Sequence, residues 1–507
     1  MARDADLVNL LNMAIRNGGG TVNELIAKGI RAAVAEGLLH GGDRLPSTRT
    51  LATLIGVSPV TVSAAFGRLL AEGLLKTQIG RGTFIDDDVT SSLSRAPTSD
   101  AQPLPSQQSF AVAERPGSRI RLVARWMSAV DPASGINLVG GYADGRLQPG
   151  RSYVRELQKF IRRQPDLAID FARGVGDSLA REAVARFAVG ALGTDIRPEH
   201  VFVGTSAHQF LDVIVRSFLD PGDVVVIDTP TYYGALDLFT LARLKVVTVP
   251  SDQDGPIPEL LAQVLIAHRP RMLYLNGSPS NPLGRVASLA RQRQILQLSR
   301  AYQLLIVEDS SVFPYYFNQK PIHLKTLDSS GQVIFLCSFS KMLFAGLRVA
   351  TAIASPATAR RLGNAMQSLV RMSASLPQRA LARYLLSDRF QSDTNAARTI
   401  YRQRYDALRQ GIVEGSCGAV QPQASGGLSL WLNLPGGHSG EMACERLAAS
   451  HIFALPGDIF NPFPEGQPAI RVSFAQTQAS DLKLAGREIG RVLTSFDFPA
   501  GSALPLA

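Results

Sequence analysis

The sequence predicts a multidomain α/β chain, and three observations carry that prediction. Residues up to Asp86 show short helical periodicities followed by a hairpin pattern, and residues 87–118 are polar and rich in Ser, Pro, Gln and Asp. From residue 119 onward, strand-like apolar runs alternate with helical segments. Such βα alternation predicts a mainly parallel sheet covered on both faces, with ligand groups at the carboxyl ends of its strands. The length, 507 residues, suffices for about three structural units.

Composition narrows the class. Apolar residues make up 45% and charged residues 19%, which excludes a collagenous, coiled-coil or wholly disordered chain. Lys plus Arg (52) exceed Asp plus Glu (42), and the formal charge of +10 favours an anionic partner such as nucleic acid or phosphate. Cys337, Cys417 and Cys444 lie far apart and provide neither a disulfide framework nor a paired-cysteine zinc site, so a reducing cytoplasm and no metal are expected. The N-terminus, with Arg3, Asp4 and Asp6, shows no signal-peptide pattern. The uncharged run Thr50 to Gly67 contains Gly56 and Pro59 and reads as two short helices, so no membrane partner is expected.

Residues 1–20 are an N-terminal extension. Thr21 with Glu24 forms a capping-box pattern ahead of Val22, Leu25, Ile26, Ile30, Ala33 and Val34, which recur at helical spacing. Ser47 is placed to cap a second short helix through Leu51, Leu54 and Ile55, ending at Gly56. Ser58 caps a third, with Pro59 in its first turn and Val62, Phe66, Leu69 and Leu70 as its buried stripe. Thr61, Ala64 and Arg68 occupy the other face. Two helices joined by a glycine turn suit entry into a DNA major groove, and a hairpin tipped by Gly80, Arg81 and Gly82 suits close approach to phosphates. The same pattern also fits a helical packing module with no DNA role. Residues 87–118 bury too little to offset their ordering entropy, so they are expected to be a flexible linker reaching on the order of 30 Å.

The run GDRLPSTRTLATLIGVSPVTVSAAFGRLLAEGLLKTQIGRGTFI resembles the winged helix-turn-helix of GntR-type transcription regulators. The resemblance implies a DNA-binding domain over 21–86, with Arg49, Ser58, Thr61 and the wing residues Gly80, Arg81 and Gly82 at the DNA. Arg44 and Arg68 are expected phosphate contacts. Pro59 and Ser63 stand where the family often has basic residues, which alters the bases that can be read.

Farther along, strands are expected at VFVG near Val201, VVVID near Val224, RMLYLNG near Met272, LLIVED near Leu304 and VIFLCS near Val333. Lys341 follows the last of these, and a lysine near an apolar sheet edge can form a Schiff base with an aldehyde cofactor. Asp309 ends LLIVED, where a carboxylate can pair with a protonated pyridine nitrogen. Asn281 is a turn residue able to donate to a ring oxygen, and Tyr232 can stack on a flat ring. Ser206 and Ala207 open a helix whose free amides can cradle phosphate, with Ser338, Ser340 and Arg348 adding hydroxyls and charge. Read singly, Lys341 also fits a surface lysine and Asp309 a helix cap.

Taken together, residues 119–507 resemble a class I aminotransferase domain of fold-type I, with a smaller C-terminal α+β part over about 370–507. SFSKMLFAGLR resembles the cofactor-lysine motif, and AIRVSFA the segment whose arginine grips a substrate α-carboxylate. The resemblance implies pyridoxal 5'-phosphate held by Lys341, Asp309, Asn281, Tyr232, Ser206, Ala207, Ser338, Ser340 and Arg348, with Arg471 for the carboxylate. Ser311 replaces a family tyrosine, Phe171 a phosphate-contacting tyrosine, Ser206 a glycine and Ala345 a proline.

The combination of head, linker and body resembles the MocR subfamily. It implies a cytoplasmic, head-to-tail homodimer that binds double-stranded DNA and senses an amino-compound effector or the cofactor itself at Lys341. Two alternatives stand beside it: an active aminotransferase carrying a DNA-binding domain, and a regulator whose body no longer binds the cofactor.

Overall fold

Helical periodicity resolves into α1 (Ala2–Asn17), α2 (Val22–Ala35), α3 (Thr48–Ile55) and α4 (Pro59–Ala71), followed by the hairpin strands β1 (Leu75–Gln78) and β2 (Gly82–Ile85). The computed structural model describes residues 2–17, 21–35, 38–71, 74–78, 82–86, 117–128, 135–277, 279–434, 438–463 and 468–496. They fall into two units, Met1–Gln102 and Pro103–Ala507. Gly80, Arg81 and residues 87–116 of the expected linker lie outside the described residues, and the last two linker residues open the helix Gly117–Ser128.

Capping sets the entry of α3 and α4. Ser47 Oγ accepts from the Thr50 amide at 3.1 Å, Gly56 takes a left-handed φ of 69° that closes α3, and Ser58 Oγ accepts from the Thr61 amide at 3.2 Å. α3 and α4 are bent by 120° from one another, and among the described residues no single helix is long and apolar enough to cross a membrane. Ile26, Ile30, Leu51, Val62, Phe66, Leu69 and Ile85 form the head's core.

Two features of the head differ from the sequence reading. The extension is a helix whose Leu7 and Leu11 are buried in that core, and α1 approaches α2 so closely at Gly29 that a Cβ there would stand 2.6 Å from Leu11 Cδ2. Val22, Leu54 and Leu70, counted among the apolar stripes, are instead 38%, 47% and 37% exposed.

In the second unit the strands are β3 (Ile136–Asn137), β4 (Phe171–Arg173), β5 (Val201–Gly204), β6 (Val224–Thr229), β7 (Lys245–Asp252), β8 (Gly255–Pro256), β9 (Met272–Asn276), β10 (Leu305–Asp309), β11 (Val333–Ser338) and β12 (Ala350–Ile353). β13 (Met372–Ala374), β14 (Ser429–Asn433), β15 (Ile452–Phe453), β16 (Leu455–Pro456) and β17 (Ala469–Ser473) follow. Eight form one sheet in the order β5-β12-β11-β10-β9-β6-β7-β8. Its centre is parallel as expected, but β12 and β8 run against it, so the sheet is mixed.

Side chains alternate across this sheet. Tyr274 and Val307 pack with Phe210 and Phe239 on one face, while Leu273 and Ile306 pack with Leu265 and Ile295 on the other. The smaller part is the antiparallel sheet β14-β17-β16. Against it lie the helices Arg389–Gly415 and Ala479–Thr494, whose backbones meet where Gly415 leaves no Cβ room beside the Arg487 carbonyl.

Candidate functional site

The polar residues gather where the parallel strands end. Asp309 terminates β10, Asn276 lies opposite it in register on β9, and Lys341 sits in the helical turn Phe339–Met342 that follows β11. Lys341, Asp309, Asn281 and Arg471 line one cleft, together with Ser311, Asn276 and Ser280. The Lys341 ammonium lies 4.4 Å from the centre of the Tyr232 ring, a cation–π distance.

Each of these groups is held. Asp309, 8% exposed, accepts from Tyr274 Oη at 3.1 Å on one oxygen and from Ser311 Oγ on the other. Asn281 Oδ1 accepts from Arg471 Nη1 at 3.4 Å, which leaves the Asn281 Nδ2 hydrogens as donors. Arg471 Nη2 donates to the Val139 carbonyl, its guanidinium lies 5.1 Å from the Phe460 ring, and its Nε has no partner among the described residues. It is 3% exposed, no carboxylate pairs with it among the described residues, and burial pulls its pKa down.

The remaining cofactor candidates sit at the neighbouring strand ends. Ser338 ends β11 opposite Ala350, which lies opposite Gly204 at the end of β5. Ser206 caps the helix Ala207–Phe218 by accepting from the Gln209 amide at 3.0 Å. Ser340 is turned elsewhere: its Oγ accepts from the Val349 amide at 3.1 Å, because the turn carrying Lys341 must be closed onto β12. Arg348 is exposed and takes a left-handed φ of 52°. Phe171 is 56% exposed on β4.

Sequence reasoning missed two side chains here. Tyr274 stands in an otherwise apolar strand, and a buried tyrosine hydroxyl needs a partner, which was the available signal. Tyr315 donates to the carbonyl of Met342, next to Lys341, and so fixes the turn that carries the lysine. Ser311, read as a missing tyrosine, reaches the Asp309 carboxylate instead of lying idle.

In the head, Arg44, Arg49 and Ser58 are exposed and Thr61 is half-buried. Gly82, at a φ of 121°, lets the Arg44 guanidinium lie against the hairpin, where a Cβ would stand 3.0 Å from Nε. Arg68 donates to Glu24 at 3.1 Å, so it ties α4 to α2. Among the described residues no cluster of His, Cys, Asp and Glu could hold a metal ion.

Comparison with known proteins matches residues 23–85 to the bacterial regulatory proteins of the gntR family and residues 155–489 to aminotransferases of class I and II. The 2-aminoadipate transaminase of Thermus thermophilus is 30% identical over 71% of this chain and 90% of its own length. The probable rhizopine catabolism regulatory protein MocR of Rhizobium meliloti is 28% identical over 74% of each chain. Among solved structures, LysN, the α-aminoadipate aminotransferase of Thermus thermophilus complexed with N-(5'-phosphopyridoxyl)-L-leucine, superposes with a TM-score of 0.68 at 28% identity, covering 78% of this chain and 99% of that one.

This fold implies pyridoxal phosphate as its cofactor. The cleft fits it: an amine, a buried carboxylate held by two hydroxyls, and a buried arginine with an unpartnered Nε converge there. The chain belongs to the class I and II aminotransferase family, in the MocR-type branch that joins this body to a GntR-type DNA-binding head.

Proposed function

We propose that this chain is a pyridoxal-phosphate-responsive transcription regulator: a DNA-binding head over 21–86, a linker over 87–118 and a sensing body over 119–507. It acts in the cytoplasm as a homodimer on double-stranded DNA. The observation that carries the reading is the convergence of Lys341, Asp309 and Asn281 with a buried Arg471 that no acid pairs with among the described residues. When bound, the cofactor supplies an electrophilic carbon and an electron-withdrawing ring.

In this reading Lys341 attaches the cofactor, Asp309 faces its ring nitrogen, Asn281 donates from Nδ2 to the ring oxygen, and Tyr232 packs on the ring. Ser206, Ala207, Ser338, Ser340 and Arg348 take the phosphate, Ser340 through its backbone, since its hydroxyl is engaged with Val349. Arg471 holds the carboxylate of an amino compound, whose amine competes with Lys341 for one place. Such a compound biases the body only by binding one of its arrangements more tightly. Arg44, Arg49, Ser58, Thr61 and the wing Gly80 to Gly82 meet the DNA, and Arg68 reaches a phosphate only by leaving Glu24.

The test is the visible spectrum of the purified protein with added pyridoxal phosphate, followed by a screen of amino acids and amines for spectral change and altered DNA affinity. A band that Lys341→Ala abolishes, and that one ligand class shifts together with DNA binding, is the expected result. No band overturns the cofactor assignment. Because the amine, carboxylate and arginine are all in one cleft, an enzyme reading also stands, and steady turnover of an amino acid with a keto acid would select it.

A further inference from the structure

We infer that a second site, for a compact ammonium group, lies on the opposite face of the large sheet from the Lys341 cleft and is built by Asp228, Ser251 and Gln292. Asp309 points to the cofactor face, and strand alternation turns its neighbour Glu308 to the reverse face, where a cavity of about 50 Å³ opens. Leu275 and Ile295 supply its apolar wall, and Arg285 stands at its side.

Unpartnered acceptors mark the cavity. Gln292, 3% exposed, donates through Nε2 to the carbonyl of Ile322 at 2.6 Å and of Ala287 at 3.3 Å, which fixes its amide and leaves Oε1 without a partner. Ser251 Oγ is also buried, with no partner among the described residues. Buried polar atoms are almost always paired, and the other such atom beside a cavity described above, Arg471 Nε, lies in the cofactor cleft. Asp228, 6% exposed, accepts from backbone amides and, among the described residues, from one side-chain donor, Thr231 Oγ1, at the long distance of 3.5 Å. Burial pushes its carboxyl up to about 7 even with the charge of Arg285 acting on it, a cost that a closer cationic group removes.

Asp228, Ser251 and Gln292 can each accept a hydrogen bond, and the acids on the cavity wall, Asp228, Asp254 and Glu308, outnumber its guanidinium, Arg285, so the chemistry selects a cationic N–H donor. The space suits a small one. At roughly 10–15 Å³ per water on the same measure, the cavity takes a few heavy atoms. Asn276 and Ser280 line both this cavity and the Lys341 cleft, so the two sites are neighbours through the sheet.

The probe is dimethylammonium, which has two N–H donors and, as a secondary amine, forms no stable condensation product with the cofactor aldehyde. Calorimetric titration of the full-length, cofactor-loaded protein is expected to show saturable binding in the millimolar range, the ceiling for so small a ligand. Asp228→Asn is expected to weaken it by about tenfold or more, and Ser251→Val, which loses no existing hydrogen bond, by a few-fold. Acetate is expected not to bind. Absence of saturable binding, equal affinity in Asp228→Asn, or equal binding of acetate overturns the site. None of those failures touches the spectral test of the cofactor reading, so the two stand or fall separately.

Discussion

Replacing Asp228 by asparagine should make this protein more stable, by an amount that grows as pH rises from about 4 to about 7. Asp228 is 6% exposed, no cation lies within ion-pair distance of it among the described residues, and burial, only partly offset by the charge of Arg285, raises its pKa from the ordinary 3.8 to about 7. The folded state therefore holds a proton that the unfolded state has released. The stability this confers is full below about pH 3.8, where both states are protonated, and is lost as pH rises through about 7. A displacement of about three pH units, at about 1.4 kcal/mol each, makes the loss about 4 kcal/mol. Asparagine has nearly the same shape and no charge. Urea unfolding of the body, compared between the two proteins from pH 5 to pH 8, should show a difference that grows with pH toward that figure. A constant difference, or a variant less stable at pH 8, would refute the net burial penalty on this acid. Dimethylammonium should narrow the gap by stabilising the natural protein more than the variant.

Arg49→Ala combined with Thr61→Ala should weaken specific DNA binding without altering the cofactor spectrum. Footprinting on a selected operator checks it, and an unchanged footprint would remove the head's assigned face. Leu11→Ala should destabilise the head by about 2–5 kcal/mol, because Leu11 is fully buried between α1 and α2. Hydrogen exchange of α2 amides in the full chain reads that loss.

Much of this was legible because the motifs are local. Ser47, Gly56 and Ser58 act within one turn of themselves, so caps could be read from spacing and appear where the sequence puts them. The strand ends carrying Asp309 and Lys341 were visible as apolar runs that stop at a charge. What escaped depends on distant partners. Among its described side chains α1 fully buries Leu7 and Leu11, one turn apart, with Val8, Leu10 and Ile15 packed partly buried beside them, and its stability comes from the groove that Gly29 opens on α2. Tyr274 acquires its role only because β9 and β10 are paired in a register that sets its hydroxyl beside Asp309. β12 is a four-residue run that follows the lysine motif after the turn at Ala345–Leu347, and it is recognised only once it pairs between β5 and β11.

Arg471 offers the sharpest test of what the cleft receives. A guanidinium that is 3% exposed, bonded only to Asn281 Oδ1 and the Val139 carbonyl, keeps a charge that no acid in the chain balances among the described residues. Removing one partner of a buried, hydrogen-bonded charge pair costs about 3–5 kcal/mol, so an arriving carboxylate gains on that scale and an amine without one does not. Arg471→Met should therefore weaken the spectral response to an amino acid by about 3 kcal/mol, roughly 100-fold, and leave the response to the corresponding decarboxylated amine nearly unchanged. Unliganded Arg471→Met should be no less stable than the natural protein, since methionine fills apolar space without charge. Paired spectral titrations of the two ligands against both proteins decide it. Equal weakening for acid and amine would mean that Arg471 shapes the cleft and does not read the carboxylate.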